Sequence, residues 1–176
     1  VLTFEPHPRE FFMPDGELFR LTLLPMKARL IAATGISDVF VPAFDAGFAG
    51  LSAGEFMAFL RDRLRARHIV VGADFAFGKG RAGTVDTLRQ MFDVTVIDPV
   101  MCPGGAAYSS TRIRELLRAG DLQGAAALLG RPFEIEAEIV HGDKRGRELG
   151  YPTANQRVER YVRMPFGIYA VRVQIE

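Results

Sequence analysis

Short β-branched runs take turns with stretches of helical period along the first part of the chain, and this alternation limits the fold more than any other feature. Residues 1–4, 38–41, 69–71 and 94–97 read as strands. Residues 25–33, 52–67 and 84–92 read as helices between them. The order implies a parallel sheet with crossover helices. Ligands on such sheets bind beyond the carboxyl ends of the strands. The segments after Phe4, Val41 and Val71 are those ends, and the unusual sequences fall there: Glu5-Pro6-His7-Pro8, then Asp45, then Gly72-Ala73-Asp74-Phe75-Ala76-Phe77-Gly78-Lys79-Gly80.

Ser52–Arg67 carries the clearest helix signature. Ser52 and Glu55 are spaced as a capping box, and Leu51 is placed to staple onto Phe56. Phe56, Phe59, Leu60 and Leu64 give that helix one apolar face. Further on, Ser109-Ser110-Thr111 opens a helix that Gly120 stops, and Asp121 caps another that ends at Gly130. The texture then changes. Residues 133–140 and 166–175 alternate apolar and polar side chains, as half-exposed antiparallel strands do. A boundary is expected near Arg131-Pro132, giving domains 1–131 and 132–176.

The 176 residues suffice for one medium domain and part of a second. With 48% apolar and 24% charged residues the composition is that of an ordinary soluble globular protein. A net charge of +1 gives no reason to expect a nucleic-acid or membrane-surface partner. No apolar run is long enough to span a bilayer. The single cysteine, Cys102, rules out an intrachain disulfide framework and a multi-cysteine zinc site. A cytoplasmic location fits.

Two segments carry chemistry most plainly. Ser109-Ser110-Thr111-x-x-Arg114 sets hydroxyls beside unbonded amides at a helix start, where the dipole favours an anion, and adds a guanidinium one turn in. An ordinary helix cap with a solvated arginine would look the same. Gly146-Arg147-Glu148-Leu149-Gly150-Tyr151-Pro152-Thr153-Ala154-Asn155 puts Thr153 and Asn155 on one side of extended chain. Their oxygens suit Mg²⁺ held mainly by phosphates and water; a polar loop entering a strand is the plain alternative. Pro6-His7-Pro8 is a rigid turn, and Phe11 and Phe12 could wall a flat aromatic ligand or simply pack in a core. Two of the three lysines, Lys79 and Lys144, lie between glycines, which suits phosphate but is compatible with chance.

Taken in order, four segments resemble the bacterial bifunctional riboflavin kinase/FMN adenylyltransferases. They are Thr3-Phe4-Glu5-Pro6-His7-Pro8-Arg9-Glu10, Val71 through Gly80, Ser109 through Arg114, and His141-Gly142-Asp143-Lys144-Arg145-Gly146 through Asn155. The resemblance covers essentially the whole chain. It implies a Rossmann-like nucleotidyltransferase α/β domain, followed by the start of a small antiparallel β-barrel kinase domain. It implies that riboflavin is phosphorylated to FMN, and FMN adenylylated to FAD, with ATP and Mg²⁺. By resemblance Ser109, Ser110, Thr111 and Arg114 grip ATP phosphates, with Ser110 and Arg114 catalytic. Pro6, His7, Pro8 and Phe12 belong to the flavin-pocket segment, and Asp74 and Phe75 to the substrate loop, with Asp74 the more direct contact. Gly142, Lys144, Gly146 and Gly150 match the kinase's phosphate-side loop, and Thr153 and Asn155 its Mg-ATP ligands.

The family's paired-histidine ATP motif is expected before residue 1, and the kinase's carboxylate base after Glu176. The chain alone is therefore expected to be inactive. Partners are expected to be small molecules, with self-association into a homo-oligomer left open. Two other readings stand beside this one: a flavin- or nucleotide-binding module without catalysis, and a nucleotidyltransferase acting on another phosphorylated cofactor precursor. The Pro152-Thr153-Ala154-Asn155 segment weighs against the latter.

Overall fold

The computed structural model describes residues 1–142, 150–151 and 153–175. The chain forms two compact units, one from Val1–Gly16 with Ile31–Tyr108, the other from Glu17–Leu30 with Ser109–Glu176.

The first unit is α/β. Strands β1 (His68–Gly72) and β2 (Asp93–Ile97) pair in parallel, His68 opposite Asp93 and Gly72 opposite Ile97. Helix α5 (Val85–Arg89) lies between them in sequence, as a parallel crossover requires. Earlier in this unit come α1 (Pro8–Phe12), α3 (Ala46–Ala49) and α4 (Ala53–Asp62), while most of α2 (Leu24–Ala32) belongs to the second unit. Both halves of the expected capping box form at α4: Glu55 N–H donates to Ser52 Oγ at 3.2 Å, and Ser52 N–H donates to Glu55 Oε2 at 2.8 Å. Phe56, Met57 and Leu60 of α4 pack with Phe77, Leu88 and Phe92, and with Ile69, Val71 and Val94 of the strands.

Residues 1–4 and 38–41 do not form regular strands. They run in parallel as isolated bridges, Leu2 with Phe40 and Glu5 with Ala43. Phe40 N–H donates to the Val1 carbonyl and Thr3 N–H to the Phe40 carbonyl; Glu5 N–H then donates to the Pro42 carbonyl. The bond missing from this ladder is the one residue 42 would donate, and Pro42 has no N–H.

In the second unit α6 (Ser110–Ala119) and α7 (Leu122–Leu129) end at Gly120 and Gly130, both left-handed at φ +79° and +70°. Ile113, Leu117, Ala125 and Val162 make its core, joined by Leu21 and Phe133. Strands β3 (Ile139–Val140) and β4 (Asn155–Gln156) pair antiparallel. The strand expected over 133–140 is thus two residues long, because the main chain of Glu136 bonds to the Tyr161 hydroxyl instead of a neighbouring strand. The alternating segment 166–175 forms no strand, and Phe166 and Ile168 lie fully exposed. A lone extended segment without a partner cannot satisfy its own backbone. No helix among the described residues is long and apolar enough to cross a membrane.

Candidate functional site

In the first unit the candidate flavin residues lie on two segments. Glu5-Pro6 is a cis peptide, and His7 caps α1. His7 Nδ1 accepts from Arg9 N–H at 3.1 Å, and His7 N–H donates to Glu10 Oε2 at 3.1 Å. The first bond puts the proton of a neutral His7 ring on Nε2. The sequence reading missed this cap because histidine is not an expected capping residue.

Asp74 is exposed in the turn directly beyond β1, closed by Phe75 N–H donating to the Gly72 carbonyl at 3.1 Å. The loop is not loose. Phe77 and Gly83 exchange two backbone hydrogen bonds at 3.0 and 2.9 Å, and a Cβ on Gly83 would lie 2.6 Å from the Phe77 ring. Lys79 N–H donates to the Leu51 carbonyl at 2.7 Å. Gly78 sits at φ +74°, where a Cβ would lie 2.7 Å from Ala53 N. The loop is therefore seated on the capped start of α4. The Ser52 hydroxyl, then the Ser52 backbone, hold the Glu55 carboxyl below its usual pKa.

Phe12 and Phe75 belong to one string of aromatic contacts. Phe12 meets Phe44 at 5.8 Å, Phe44 meets Phe48 at 5.8 Å, and Phe48 meets Phe56 at 6.1 Å. Phe56 then meets Phe77 at 5.2 Å, and Phe77 meets Phe75 at 5.6 Å. The two candidate flavin residues stand at opposite ends of this string, and 65% of Phe12 is exposed.

In the second unit Ser109 caps α6, its Oγ accepting from Thr111 N–H at 3.2 Å. Ser110 and Thr111 are exposed in the first turn, while Arg114 is half-buried. Arg114 Nε donates to the Phe19 carbonyl at 2.6 Å, and its guanidinium carbon lies 5.4 Å from the Phe19 ring centre. Sequence reading could not find Phe19, which is 95 residues from Arg114.

The remaining described candidates flank β3 and β4 in sequence. Val140 is paired with Asn155, and a Cβ on Gly142 would collide with the Asn155 side-chain amide. Gly142 and Asn155 are therefore neighbours. Gly150 is left-handed at φ +81°, and Thr153 is exposed. Lys144 and Gly146 lie outside the described residues.

A parallel α/β unit, and a second unit in which a capped, hydroxyl-rich helix start precedes a short antiparallel pair, define a protein of two different modules. Residues 1–112 match the family model described as FAD synthetase, and residues 129–176 match that described as riboflavin kinase. The chain belongs to the FAD synthetase family and continues into the riboflavin kinase match, the arrangement of the bifunctional riboflavin kinase/FMN adenylyltransferases. It is 41% identical over 179 residues to the protein of that name from Escherichia coli strain K12, with 98% of this chain and 57% of the relative covered. The Pseudomonas fluorescens relative is 41% identical, with 100% and 58% covered, and the Listeria monocytogenes relative 36%, with 99% and 57% covered. The chain thus spans little more than half the length of these relatives. A solved structure described as a macrolide-efflux protein from Streptococcus pneumoniae is 33% identical with a TM-score of 0.75, over 94% of this chain and 55% of that one.

Proposed function

We propose that this chain is part of an enzyme that makes flavin cofactors in two steps: ATP-dependent phosphorylation of riboflavin to FMN, then adenylylation of FMN to FAD. The observation that carries this reading is the tandem family match, FAD synthetase over residues 1–112 and riboflavin kinase over residues 129–176, on one chain. The adenylyltransferase domain is read as residues 1–131, and the kinase domain as beginning at 132.

In adenylyl transfer an FMN phosphate oxygen attacks the α-phosphorus of ATP in line. The bond to the β-phosphate breaks and pyrophosphate leaves. The start of α6 suits the triphosphate. Ser109 caps it, Ser110 and Thr111 offer hydroxyls in the first turn, and the helix dipole favours negative charge there. Arg114 offers a fork suited to the charge that grows on departing pyrophosphate. Pro6, His7, Pro8, Phe12, Asp74 and Phe75 hold the flavin, with Asp74 in a turn braced from both sides.

In the kinase step Thr153 and Asn155 supply a hydroxyl and an amide oxygen, a donor set that suits Mg²⁺ accompanying ATP. The space left by the absent Cβ of Gly142 beside the Asn155 amide supports that fit. When bound, the ion would neutralise phosphate charge. Gly142, Lys144, Gly146 and Gly150 are assigned to phosphate binding from their sequence pattern alone. The reading places both steps in the cytoplasm, on small-molecule substrates.

A turnover assay of the full-length protein with riboflavin, ATP and Mg²⁺ tests this, with flavins separated by chromatography. Wild type should make FMN and FAD. Ser110→Ala with Arg114→Ala should stall at FMN. Thr153→Ala with Asn155→Ala should fail on riboflavin yet still convert supplied FMN. A protein that binds FMN but makes neither product is a binding module, and the assignments above fall.

A further inference from the structure

We infer that Phe19 is a positioning residue for Arg114 in adenylyl transfer, an inference that rests on the role proposed above for Arg114. One residue meets the same guanidinium twice. The Phe19 carbonyl accepts from Arg114 Nε at 2.6 Å, and the Phe19 ring presents its face to the guanidinium carbon at 5.4 Å. A bond to Nε fixes the plane and direction of the guanidinium while using the donor nearest the chain. The two terminal nitrogens are the parallel pair that meets phosphate oxygens. A π face beneath a guanidinium stabilises its charge and resists its rotation out of plane.

The support is itself held. Phe19 is 5% exposed. Its neighbour Arg20 offers its carbonyl to Val162 N–H at 2.8 Å, and Leu21 packs against the Ile113–Leu117 core. One turn along α6, Arg118 Nε meets Glu17 Oε1 at 2.8 Å. The segment 17–21 is therefore fastened along α6 at several points. An arginine side chain gives up much rotamer freedom when it takes a single pose. Here that loss belongs to folding, so less remains to be lost when a phosphate binds.

The test is a double-mutant cycle on the full-length protein, reading kcat/KM for ATP in FAD formation from FMN. Phe19→Leu keeps apolar bulk and the main-chain carbonyl but removes the π face; Phe19→Tyr keeps the ring. Each is made with Arg114 and with Arg114→Ala, and riboflavin phosphorylation by the same molecules reports that they are folded. Phe19→Leu should lower kcat/KM about 2- to 30-fold, the span of a cation–π contact. Phe19→Tyr should stay near wild type, and Phe19→Leu should cost nothing further once Arg114 is alanine. Phe19→Met carries the same comparison should Phe19→Leu not fold. Equal losses in both backgrounds, no loss beside Arg114, or an equal loss for Phe19→Tyr would overturn the inference. If Arg114→Ala alone leaves FAD formation unchanged, the proposed role of Arg114 falls first and this inference with it.

Discussion

The buried hydroxyl of Tyr161 donates to the Glu136 carbonyl at 2.9 Å and accepts from the Glu136 N–H at 3.1 Å. A single side chain thus stands in for a strand partner at one residue of the segment leading to β3. Tyr161 is 1% exposed, and its ring lies against Phe133 with centres 6.4 Å apart. Glu134 and Glu136 on the same segment meet Arg29 at 2.9 and 3.6 Å. Those ion pairs are exposed and contribute little; the tyrosine contributes the specific bond.

Removing that hydroxyl leaves two backbone groups of Glu136 without their partner. Tyr161→Phe preserves the ring and its packing, so the loss isolates the hydrogen bonds. A destabilisation of about 1–3 kcal/mol is expected. Urea unfolding followed by far-ultraviolet circular dichroism reads it, and an unchanged midpoint would show that water replaces the hydroxyl without cost.

The same residue sets an alkaline limit. Burial, the largest cause, raises the Tyr161 phenol above its usual value of 10.0. The neutral phenol is therefore favoured in the folded state, and its contribution is full below the ordinary pKa. It is lost as pH rises through the higher folded value. Stability of wild type should fall above about pH 10 more steeply than that of Tyr161→Phe. Parallel pH slopes for the two proteins would exclude Tyr161 as the cause.

An acid limit is expected at the start of α4. Ser52, through its hydroxyl first and its backbone second, lowers the Glu55 pKa. A depressed carboxyl contributes above its ordinary pKa and ceases to contribute as pH falls through the folded value. Because the Gly78–Lys79 turn sits on this helix start, the loop bearing Asp74 should loosen with it. Amide exchange of Lys79, whose N–H donates to Leu51, should quicken in Glu55→Gln at neutral pH; exchange at the wild-type rate would separate loop from cap.

What was legible in the sequence was local. The Ser52–Glu55 box, the glycine stops of α6 and α7, and the parallel order of β1 and β2 each depend on neighbours in the chain or on repeated pattern. Strand pairing was less legible. Pro42 could be seen in the sequence, but not that its missing N–H falls at a ladder position. Alternation over 166–175 indicated a strand, yet a strand also needs a partner, and pattern cannot supply one. Phe19 with Arg114 and Tyr161 with Glu136 were illegible because each pairs a side chain with a distant main-chain group, which leaves no compositional trace. The candidate motifs were found by type and spacing; the residues supporting them required coordinates.

Gly142 offers the clearest test of the kinase-side reading. A Cβ there would collide with the Asn155 amide, and its next nearest atom would be Asn155 Cγ at 2.9 Å. Gly142 does not adopt the left-handed backbone, so strain at its own backbone is not the reason for glycine. The reason is room for the neighbour. Gly142→Ala should push the Asn155 side chain aside while leaving the β3–β4 main chain paired. If Asn155 assists Mg-ATP, riboflavin phosphorylation should fall about tenfold to a hundredfold, because small displacements of positioning groups carry costs of that order. FMN adenylylation in the same full-length molecule should be unchanged. Asn155→Ala should fall by a similar factor, and Gly142→Ala made on top of it should add little, since the group it displaces is already gone. Independent, multiplying losses would mean that Gly142 meets the nucleotide itself, with Asn155 only its neighbour.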